Sequence, residues 1–303
     1  MSNQLTMQTM TAMIQQMSKE CRSMDTPLHE AAYAGEHEEL KHLLYDREMR
    51  KNINSKNRLG CTPLRLAASG GHSKCVRRLL DYKAKVNVSD MKAQTPLAVA
   101  VKKKNIECIK MLVEAGANPD GDPQNMWTPL YLAAMEGALD AVKALVKGGA
   151  SINGIFSPSG ELSGNSILYI TIAYHHWNCF SHLLTHGADP DCKAARVRTF
   201  NNRDESLYHS VIRHNVSPKF AQLLYDYGAD LYCENFKGLL PREMDSDNEC
   251  LELVKTFYGE TRSLKSWCRI HIIRNLKKRT SDVIEDLPLP TKLIWYLQFS
   301  ELC

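Results

Sequence analysis

The amino-acid sequence repeats itself at a nearly fixed spacing, and this feature limits most strongly what the chain can fold into. Four segments begin with Thr-Pro-Leu, and two later ones begin with a serine followed by apolar residues. Their first residues are Thr26, Thr62, Thr95, Thr128, Ser166 and Ser206, spaced by 36, 33, 33, 38 and 40 residues. Repetition at this period predicts an array of small supersecondary units that bury a continuous core only by stacking on one another.

Each unit has the residues of a helix pair. Threonine followed by proline is typical of a helix start, because threonine caps unpaired N–H groups and proline is tolerated at the first helical position. A second apolar stripe follows, as in Leu40, Leu43 and Leu44, and indicates a second helix whose side chains fill the core between units. The array is therefore expected to be all-α.

The end of each second helix has its own signal. Glycine closes the helix at Gly116, Gly149, Gly187 and Gly228 and suits a left-handed cap. Lys83 occupies the corresponding position in the second of these repeated segments. Since a non-glycine residue in that conformation costs about 1–2 kcal/mol, we expect an atypical turn there.

These units resemble the ankyrin repeat, which is about 33 residues long and begins Thr-Pro-Leu-His-x-Ala. The resemblance implies an all-α ankyrin-repeat solenoid over residues 25–258, with about six repeats. Gly238-Leu239-Leu240-Pro241 imitates a repeat start, so the residues after it are predicted to form a degenerate cap whose last helix carries Leu251, Leu253, Val254 and Phe257. Residues 1–24 form an N-terminal extension that is either partly helical or disordered.

The surplus length of the two longest units falls at 155–164 and 194–204. Insertions in repeat proteins lie on one face, which is often the binding face, although tolerated solvent loops are the alternative. Trp127 precedes a helix cap and is expected near a turn tip, where it either contacts a partner or packs on the adjacent turn. Our candidates for binding a protein substrate are Trp127, Arg58, Met91, Phe156 and Arg198.

Composition excludes several classes of protein. The chain is 44% apolar, with a net charge of only +4. Its longest nearly unbroken apolar run, from Ile167 to Tyr174, is far shorter than the roughly 20 residues that span a bilayer. The opening residues lack the pattern of a secretory signal. We therefore expect no membrane partner and a cytoplasmic protein, with a nuclear fraction as the alternative.

The sequence contains no phosphate-binding loop, hydrolase elbow or zinc-protease motif, so neither an enzyme nor a cofactor is predicted. The ten cysteines show no metal-ligand spacing, and Cys75, Cys108 and Cys179 recur at one repeat position, as core residues would. His175 and His176 point about 100° apart on a helix and are not expected to chelate a metal.

Two histidines and one basic run are interpreted as structural or surface residues and not as functional sites. His29 and His72 are interpreted as hydrogen-bonding residues of turns and helices. Lys277-Lys278-Arg279 is interpreted as a solvated surface rather than a nucleic-acid site, because no aromatic residues are interleaved with it.

The C-terminal stretch has a different pattern. Residues 263–273 predict a short helix that Ser263 caps. Leu264, Cys268 and Ile272 recur every four residues on one face of it, and Trp267 widens this apolar stripe. Further on, Leu287-Pro288-Leu289-Pro290 predicts a stiff extended segment, since proline cannot donate a backbone hydrogen bond.

This stretch resembles a SOCS box, and the chain from Thr26 onwards is similar to the ankyrin-repeat and SOCS-box family. The resemblance implies a small three-helix box over residues 259–303, in which the helix at 263–273 binds elongin C and residues 284–293 bind cullin-5. It assigns elongin C to Ser263, Leu264, Trp267, Cys268 and Ile272. It assigns the cullin to Ile284, Leu287, Pro288, Leu289, Pro290 and Leu293.

By this resemblance, the protein is expected to be a non-catalytic substrate-recognition subunit of a ubiquitin ligase. Its partners would be elongin B/C, cullin-5 with its RING partner, and an unidentified protein substrate that is presented for ubiquitination and proteasomal degradation. The alternative is an ankyrin scaffold or adaptor that sequesters a protein partner without ubiquitin transfer.

Overall fold

The computed structural model describes residues 25–125, 127–153, 166–192, 205–235, 237–260 and 262–275, together with Ile294 and Leu297. These ranges consist of helices and connecting turns, with no β-strand. Five parts of the chain lie outside the described residues: the extension at 1–24, the insertions at 155–164 and 194–204, the basic run at 277–279 and the segment at 284–293 that was predicted to bind the cullin.

The predicted helix pairs are present at all six starts. In chain order, the α-helices are α1 Pro27–Ala34, α2 His37–Tyr45, α3 Arg47–Arg50, α4 Pro63–Gly70, α5 Ser73–Asp81, α6 Pro96–Lys102, α7 Ile106–Glu114, α8 Pro129–Met135, α9 Leu139–Lys147, α10 Ile167–Ala173, α11 Trp177–Thr185, α12 Leu207–Arg213, α13 Pro218–Asp226, α14 Glu249–Gly259 and α15 Leu264–Asn275. A 3₁₀ turn at Pro241–Glu243 precedes α14.

The predicted caps explain why the helices begin where they do. Thr62 Oγ1 accepts a hydrogen bond of 3.3 Å from the N–H of Arg65, and Thr95 Oγ1 accepts one of 3.2 Å from Ala98. At the first repeat, the N–H of Thr26 donates instead to Nδ1 of His29 at 3.1 Å. Proline follows all three caps as the first helical residue.

The described helices form two compact units, which divide between Pro129 and Leu130. In the first unit, α4 packs between α1 and α6, and α5 packs between α2 and α7. Leu28, Leu64 and Leu97 occupy the same place in successive first helices and are fully buried. The repeated leucine therefore forms a continuous core within this unit.

The second unit repeats this arrangement and ends in the predicted cap. Helix α10 packs on α12, α11 on α13, and α13 on α14. The last helix, α14, buries Leu251, Val254 and Phe257, whereas Leu253 is half-buried. Its start is fixed by Asn248, which accepts a hydrogen bond of 2.9 Å from the N–H of Leu251.

The glycine caps adopt the left-handed conformation as predicted, with φ of 82° at Gly116 and 78° at Gly228. The expectation of an atypical turn at Lys83 is wrong. Lys83 has φ of 63°, and the N–H of Ala84 bonds to Leu79 O at 2.9 Å, just as the N–H of Ala117 bonds to Leu112 O at 2.9 Å. The stacking of neighbouring helices imposes the same turn, and Lys83 bears the strain.

Candidate partner-binding site

Helix α15 begins at the predicted place. The N–H of Ser266 donates to Ser263 Oγ at 3.2 Å, and the N–H of Trp267 donates to Ser263 O at 3.1 Å. Ser263 therefore caps the helix, which runs to Asn275, two residues beyond the predicted end. The cap fixes where the helix starts and hence which side chains share a face.

One face of α15 is apolar and open to solvent. Leu264 is 80% exposed, Ile272 is 39% exposed, and Cys268 between them is also exposed. Residues four apart on a helix differ by about 40° in direction, so the three side chains span an arc of about 80°. This face, called here the outer face of α15, is the apolar stripe that the sequence predicted.

The opposite side of α15 is buried against the last repeat. Ile270 is only 3% exposed, and its Cγ2 lies where a side chain on Gly228 would be placed. The guanidinium carbon of Arg262 lies 4.2 Å from the ring centre of Tyr225 and 5.5 Å from that of Trp267. Tyr225 in turn stacks on Phe257 at 4.2 Å.

Trp267 therefore lies between the two sides of the helix. Its side chain is 55% exposed, but its ring also borders a cleft of about 680 Å³ that Gly228, Phe257 and Ile270 help to line. Ile270 and Arg262, which hold the helix, were not recognised from the sequence. Trp267 and Ile270, three residues apart, form a second apolar stripe that could have predicted this buried side of the helix.

Of the proposed substrate-binding residues, three are described and lie on exposed turns of the first unit. Met91 is 77% exposed, Trp127 is 46% exposed, and Arg58 is exposed. Phe156 and Arg198 lie outside the described residues, as do the cullin-binding candidates Ile284, Leu287, Pro288, Leu289, Pro290 and Leu293.

The cysteines of the repeats are core residues. Cys75, Cys108 and Cys179 are each at most 1% exposed, and burial raises the pKa of Cys108 and Cys179 to about 11. A fourth cysteine at this position, Cys250, was not recognised from the sequence, and burial raises its pKa to about 11 as well. These thiols stay protonated near neutral pH and are poor nucleophiles.

The histidines singled out in the sequence bond to neighbouring repeats. His29 Nε2 lies 3.0 Å from Cys61 O, His72 Nε2 lies 3.1 Å from Tyr33 O, and His176 Nε2 lies 3.0 Å from Met135 O. His209 plays the role of His29 in the last repeat, with Nε2 at 3.0 Å from Leu239 O. The predicted hydrogen-bonding roles of His29 and His72 are confirmed.

The described residues contain neither a metal-binding cluster nor a membrane-spanning helix. No group of three or more potential ligands is arranged to hold a metal ion. No described helix combines the length and apolar character needed to cross a membrane.

Family profiles match both parts of the chain. The profile "Ankyrin repeats (3 copies)" matches residues 6–90 and 89–156, and the profile "SOCS box" matches residues 260–298. The crystal structure of human ASB11 ankyrin repeat domain superposes with a TM-score of 0.60 at 25% identity, covering 78% of this chain and 99% of that one.

Curated relatives extend this similarity over nearly the whole chain. Ankyrin repeat and SOCS box protein 1 of Mus musculus is 44% identical over 299 residues, which cover 91% of this chain and 88% of the relative. Ankyrin repeat and SOCS box protein 12 of Homo sapiens is 46% identical over 296 residues, which cover 93% and 95%. Proteins of this kind are generally substrate adaptors of cullin-type E3 ubiquitin ligases. The chain belongs to the ankyrin repeat and SOCS box family.

Proposed function

We propose that the chain is the substrate-recognition subunit of an elongin B/C–cullin-5 ubiquitin ligase, which presents a bound target for ubiquitination and proteasomal degradation. The observation that carries this proposal is the outer face of α15. Leu264, Cys268 and Ile272 are exposed, whereas Ile270 on the other side is buried. The helix thus needs only one side for its own packing and leaves an apolar face for the adaptor.

The exposed fractions of these side chains indicate how they would share the binding. Leu264 is 80% exposed and has the most apolar surface to lose, so it is the main anchor. Full burial of a leucine side chain contributes about 1.5–3 kcal/mol. Ile272, at 39% exposed, extends the contact by a smaller amount.

Cys268 has a different role in this proposal. It lies one helical turn from both Leu264 and Ile272, on the line between them. A small side chain there lets the partner approach the helix closely, whereas a bulky one would hold both anchors away from their pockets. Cys268→Phe should therefore prevent adaptor binding although it makes the face more apolar.

The chain contributes to ubiquitin transfer by proximity. The repeats hold the target, the outer face of α15 holds elongin B/C, and residues 284–293 select cullin-5, whose RING partner brings the charged conjugating enzyme. Holding two reactants together replaces a bimolecular encounter with an effective concentration, so no catalytic side chain is required of this chain.

The proposal is tested by co-purification of the full-length chain with elongin B/C after co-expression. Leu264→Ser and Cys268→Phe should each abolish recovery of elongin C. Tyr174→Ala is the matched control, because Tyr174 is 53% exposed in the same unit and does not line the cleft beside α15. Equal recovery of elongin C with all variants would reject the proposed interface.

The same variants distinguish a ligase subunit from a sequestering scaffold. In cells, Cys268→Phe should raise the abundance of the bound target if the chain directs degradation, and should leave it unchanged if the chain only sequesters. Recovery of cullin-5 rather than another cullin with the wild-type complex tests the assignment of residues 284–293.

A further inference from the structure

Helix α15 is held on the last repeat and its cap at two places, and a cleft opens beside both of them. The first contact is Ile270 against Gly228, where an added Cβ would lie 2.6 Å from Ile270 Cγ2. The second contact is made by Arg262, which directly precedes Ser263, the cap of the helix. Both contacts border the cleft of about 680 Å³, so the cleft separates part of α15 from the repeat. A helix packed over only part of its length can pivot about a single contact, and the second contact therefore fixes its direction.

The second contact is a stack of side chains that joins three helices. Phe257 of α14 stacks on Tyr225 of α13, with ring centres 4.2 Å apart and ring planes 15° apart. The guanidinium carbon of Arg262 lies 4.2 Å from the ring centre of Tyr225 and 5.5 Å from that of Trp267 on α15. A cation at such a distance is attracted to the electron-rich face of an aromatic ring. Arg262 thus connects the core of the last repeat to α15, and these four residues are called here the junction stack.

The junction stack lies on the repeat side of α15. Tyr225 and Arg262 are both half-buried. The charge of Arg262 also acts on Tyr208, a fully buried residue of α12: burial raises the pKa of Tyr208 well above its ordinary value, and the guanidinium opposes this shift. The carboxyl groups of Asp191 and Asp226 act on the same hydroxyl. Arg262 is therefore one of a group of charges at the edge of the repeat core, and it is not a free cation of the surface.

We propose that Arg262 is a positioning residue for ubiquitin transfer, which fixes the direction of α15 relative to the last repeat through the junction stack. This inference rests on the proposed function and names a residue that the function requires beyond the outer face of α15. The outer face decides whether the adaptor binds, whereas Arg262 decides where the bound adaptor, and with it the conjugating enzyme, lies relative to the last repeat. An error of about 1 Å in the placement of reactants can slow a reaction about 100-fold, so the direction of α15 bears on the rate.

The chemical step that depends on this placement is the attack of a lysine amine on the thioester that joins ubiquitin to the conjugating enzyme. An isopeptide bond forms, the thioester bond breaks, and the enzyme's thiol leaves with the proton that the amine loses. Arg262 takes no part in these bonds, so it acts only through the direction of α15.

A direct contact of Arg262 with the adaptor is the competing role, because Arg262 precedes the anchor Leu264 by only two residues. The geometry favours positioning, since the guanidinium already lies over two rings of the chain itself. A direct contact predicts that Arg262→Met loses elongin C, whereas positioning predicts that this variant still recovers it.

The test uses the full-length chain co-purified with elongin B/C and combined with cullin-5, its RING partner and a charged ubiquitin-conjugating enzyme. Because the target is unidentified, the acceptors are the lysines of the chain itself, and mass spectrometry measures how ubiquitin is distributed among them. We expect Arg262→Met to slow transfer to the preferred lysines of the wild type about tenfold. Recovery of elongin C should be unchanged in this variant.

Three further variants define the contact. Tyr225→Leu removes the ring under the guanidinium and should act like Arg262→Met, and the double variant should be no worse than either, as expected for two partners in one contact. Arg262→Lys keeps the charge but not the planar group that stacks on rings, and should restore only part of the rate. Arg242→Met is the matched control. The guanidinium carbon of Arg242 lies 4.6 Å from the ring centre of Tyr258 in the same unit, and neither residue lines the cleft beside α15.

A second measurement reports on the junction stack without any partner. The four tryptophans of the full-length chain are replaced by 5-fluorotryptophan during expression, and the fluorine NMR resonance of Trp267 is assigned with Trp267→Phe. Arg262→Met and Tyr225→Leu should each shift or broaden this resonance, because the ring loses its fixed neighbour. Arg242→Met should leave it in place.

Three results would overturn the inference. They are loss of elongin C with Arg262→Met, an unchanged distribution of ubiquitin in this variant, or a Trp267 resonance that stays in place. Failure of the proposed function looks different, because the wild-type chain itself would then recover no elongin C. In that case the fluorine resonance still decides whether Arg262 holds α15 on the last repeat.

Discussion

Ile270 lies so close to Gly228 that a methyl group added to this glycine would be 2.6 Å from Ile270 Cγ2. Gly228 closes α13 in the left-handed conformation, with φ of 78°. The same glycine therefore ends the last full repeat and contacts the C-terminal helix α15. The position of α15, and with it the direction of its outer face, therefore depends on the absence of a side chain at residue 228.

Gly228→Ala should destabilise the protein by strain and by the clash with Ile270. Gly116 is the matched control, because it has φ of 82° and open space within 4 Å. We expect Gly116→Ala to lower the free energy of unfolding by about 1–2 kcal/mol from strain alone. Gly228→Ala should lose about 1–3 kcal/mol more from overpacking.

Urea unfolding and hydrogen exchange measure these two effects. Gly228→Ala should also lose amide protection in α15, which Gly116→Ala should retain. Equal losses of stability in the two variants, with α15 protected in both, would show that Ile270 does not rest on Gly228.

The two isoleucines of α15 should separate stability from binding. Ile270 is 3% exposed and Ile272 is 39% exposed. Ile270→Ala is expected to cost about 2–5 kcal/mol, the usual range for a buried isoleucine, and to expose α15 to hydrogen exchange. Ile272→Ala should leave the unfolding transition within about 0.5 kcal/mol of the original, as for most surface changes, and should reduce recovery of elongin C.

This pair of variants checks the assignment of the two faces. A loss of stability with Ile272→Ala, or unchanged stability with Ile270→Ala, would mean that the helix is turned the other way. Both variants keep Ser263, Leu264 and Cys268, so the helix cap and the main anchor are common to all the proteins compared.

Most of the fold could be predicted because the same local sequence signals recur in successive repeats. Thr62 and Thr95 cap helices through contacts with residues close by in the sequence. Gly116 permits the left-handed backbone conformation of its own turn. Lys83 shows the limit of such local rules. The packing of α5 between α2 and α7 fixes the conformation of the turn at Lys83. The residues of the turn do not reveal how firmly the surrounding helices hold it.

The candidate site was only partly predictable, for a related reason. The stripe of Leu264, Cys268 and Ile272 is a property of one helix, and it was found. The contact of Ile270 with Gly228, by contrast, joins residues 42 positions apart in the sequence. The contact of Met91 with Leu59 similarly joins turns of adjacent repeats. Such contacts follow from how repeats stack, and no local spacing in the chain encodes them.

Lys83→Gly should stabilise the protein. Lys83 has φ of 63°, and glycine relieves the left-handed strain of about 1–2 kcal/mol but gives up part of it to the greater entropy of the unfolded chain. We expect a net gain of about 0.5–1 kcal/mol in the free energy of unfolding, read from the urea midpoint. Lys103→Gly is the control, because Lys103 directly follows α6 with φ of −92°, where glycine relieves no strain and should lower the free energy of unfolding. A loss with Lys83→Gly as well would show that the turn is not strained.

His182 should make stability depend on pH. Its ring centre lies 3.9 Å from that of His186, and burial, together with the charges of His186 and Lys143, lowers its pKa to about 4. When the pH falls below the ordinary histidine pKa, the unfolded chain takes up a proton at this position that the folded protein does not, so stability falls. The loss grows until the pH reaches the folded pKa and is constant below it.

Between about pH 7.5 and about pH 5.5, this linkage predicts a loss of roughly 1 kcal/mol from His182 alone. His182→Gln removes the titrating group and should reduce the pH-dependent shift of the urea midpoint by that amount. Burial also lowers the pKa of His209 and His214, so part of the shift should persist in the variant. His42, which is exposed, gives the control His42→Gln, whose shift should match that of the wild type. The same shift in all three proteins would contradict the prediction, because it would mean that His182 takes up its proton equally in the folded protein and in the unfolded chain.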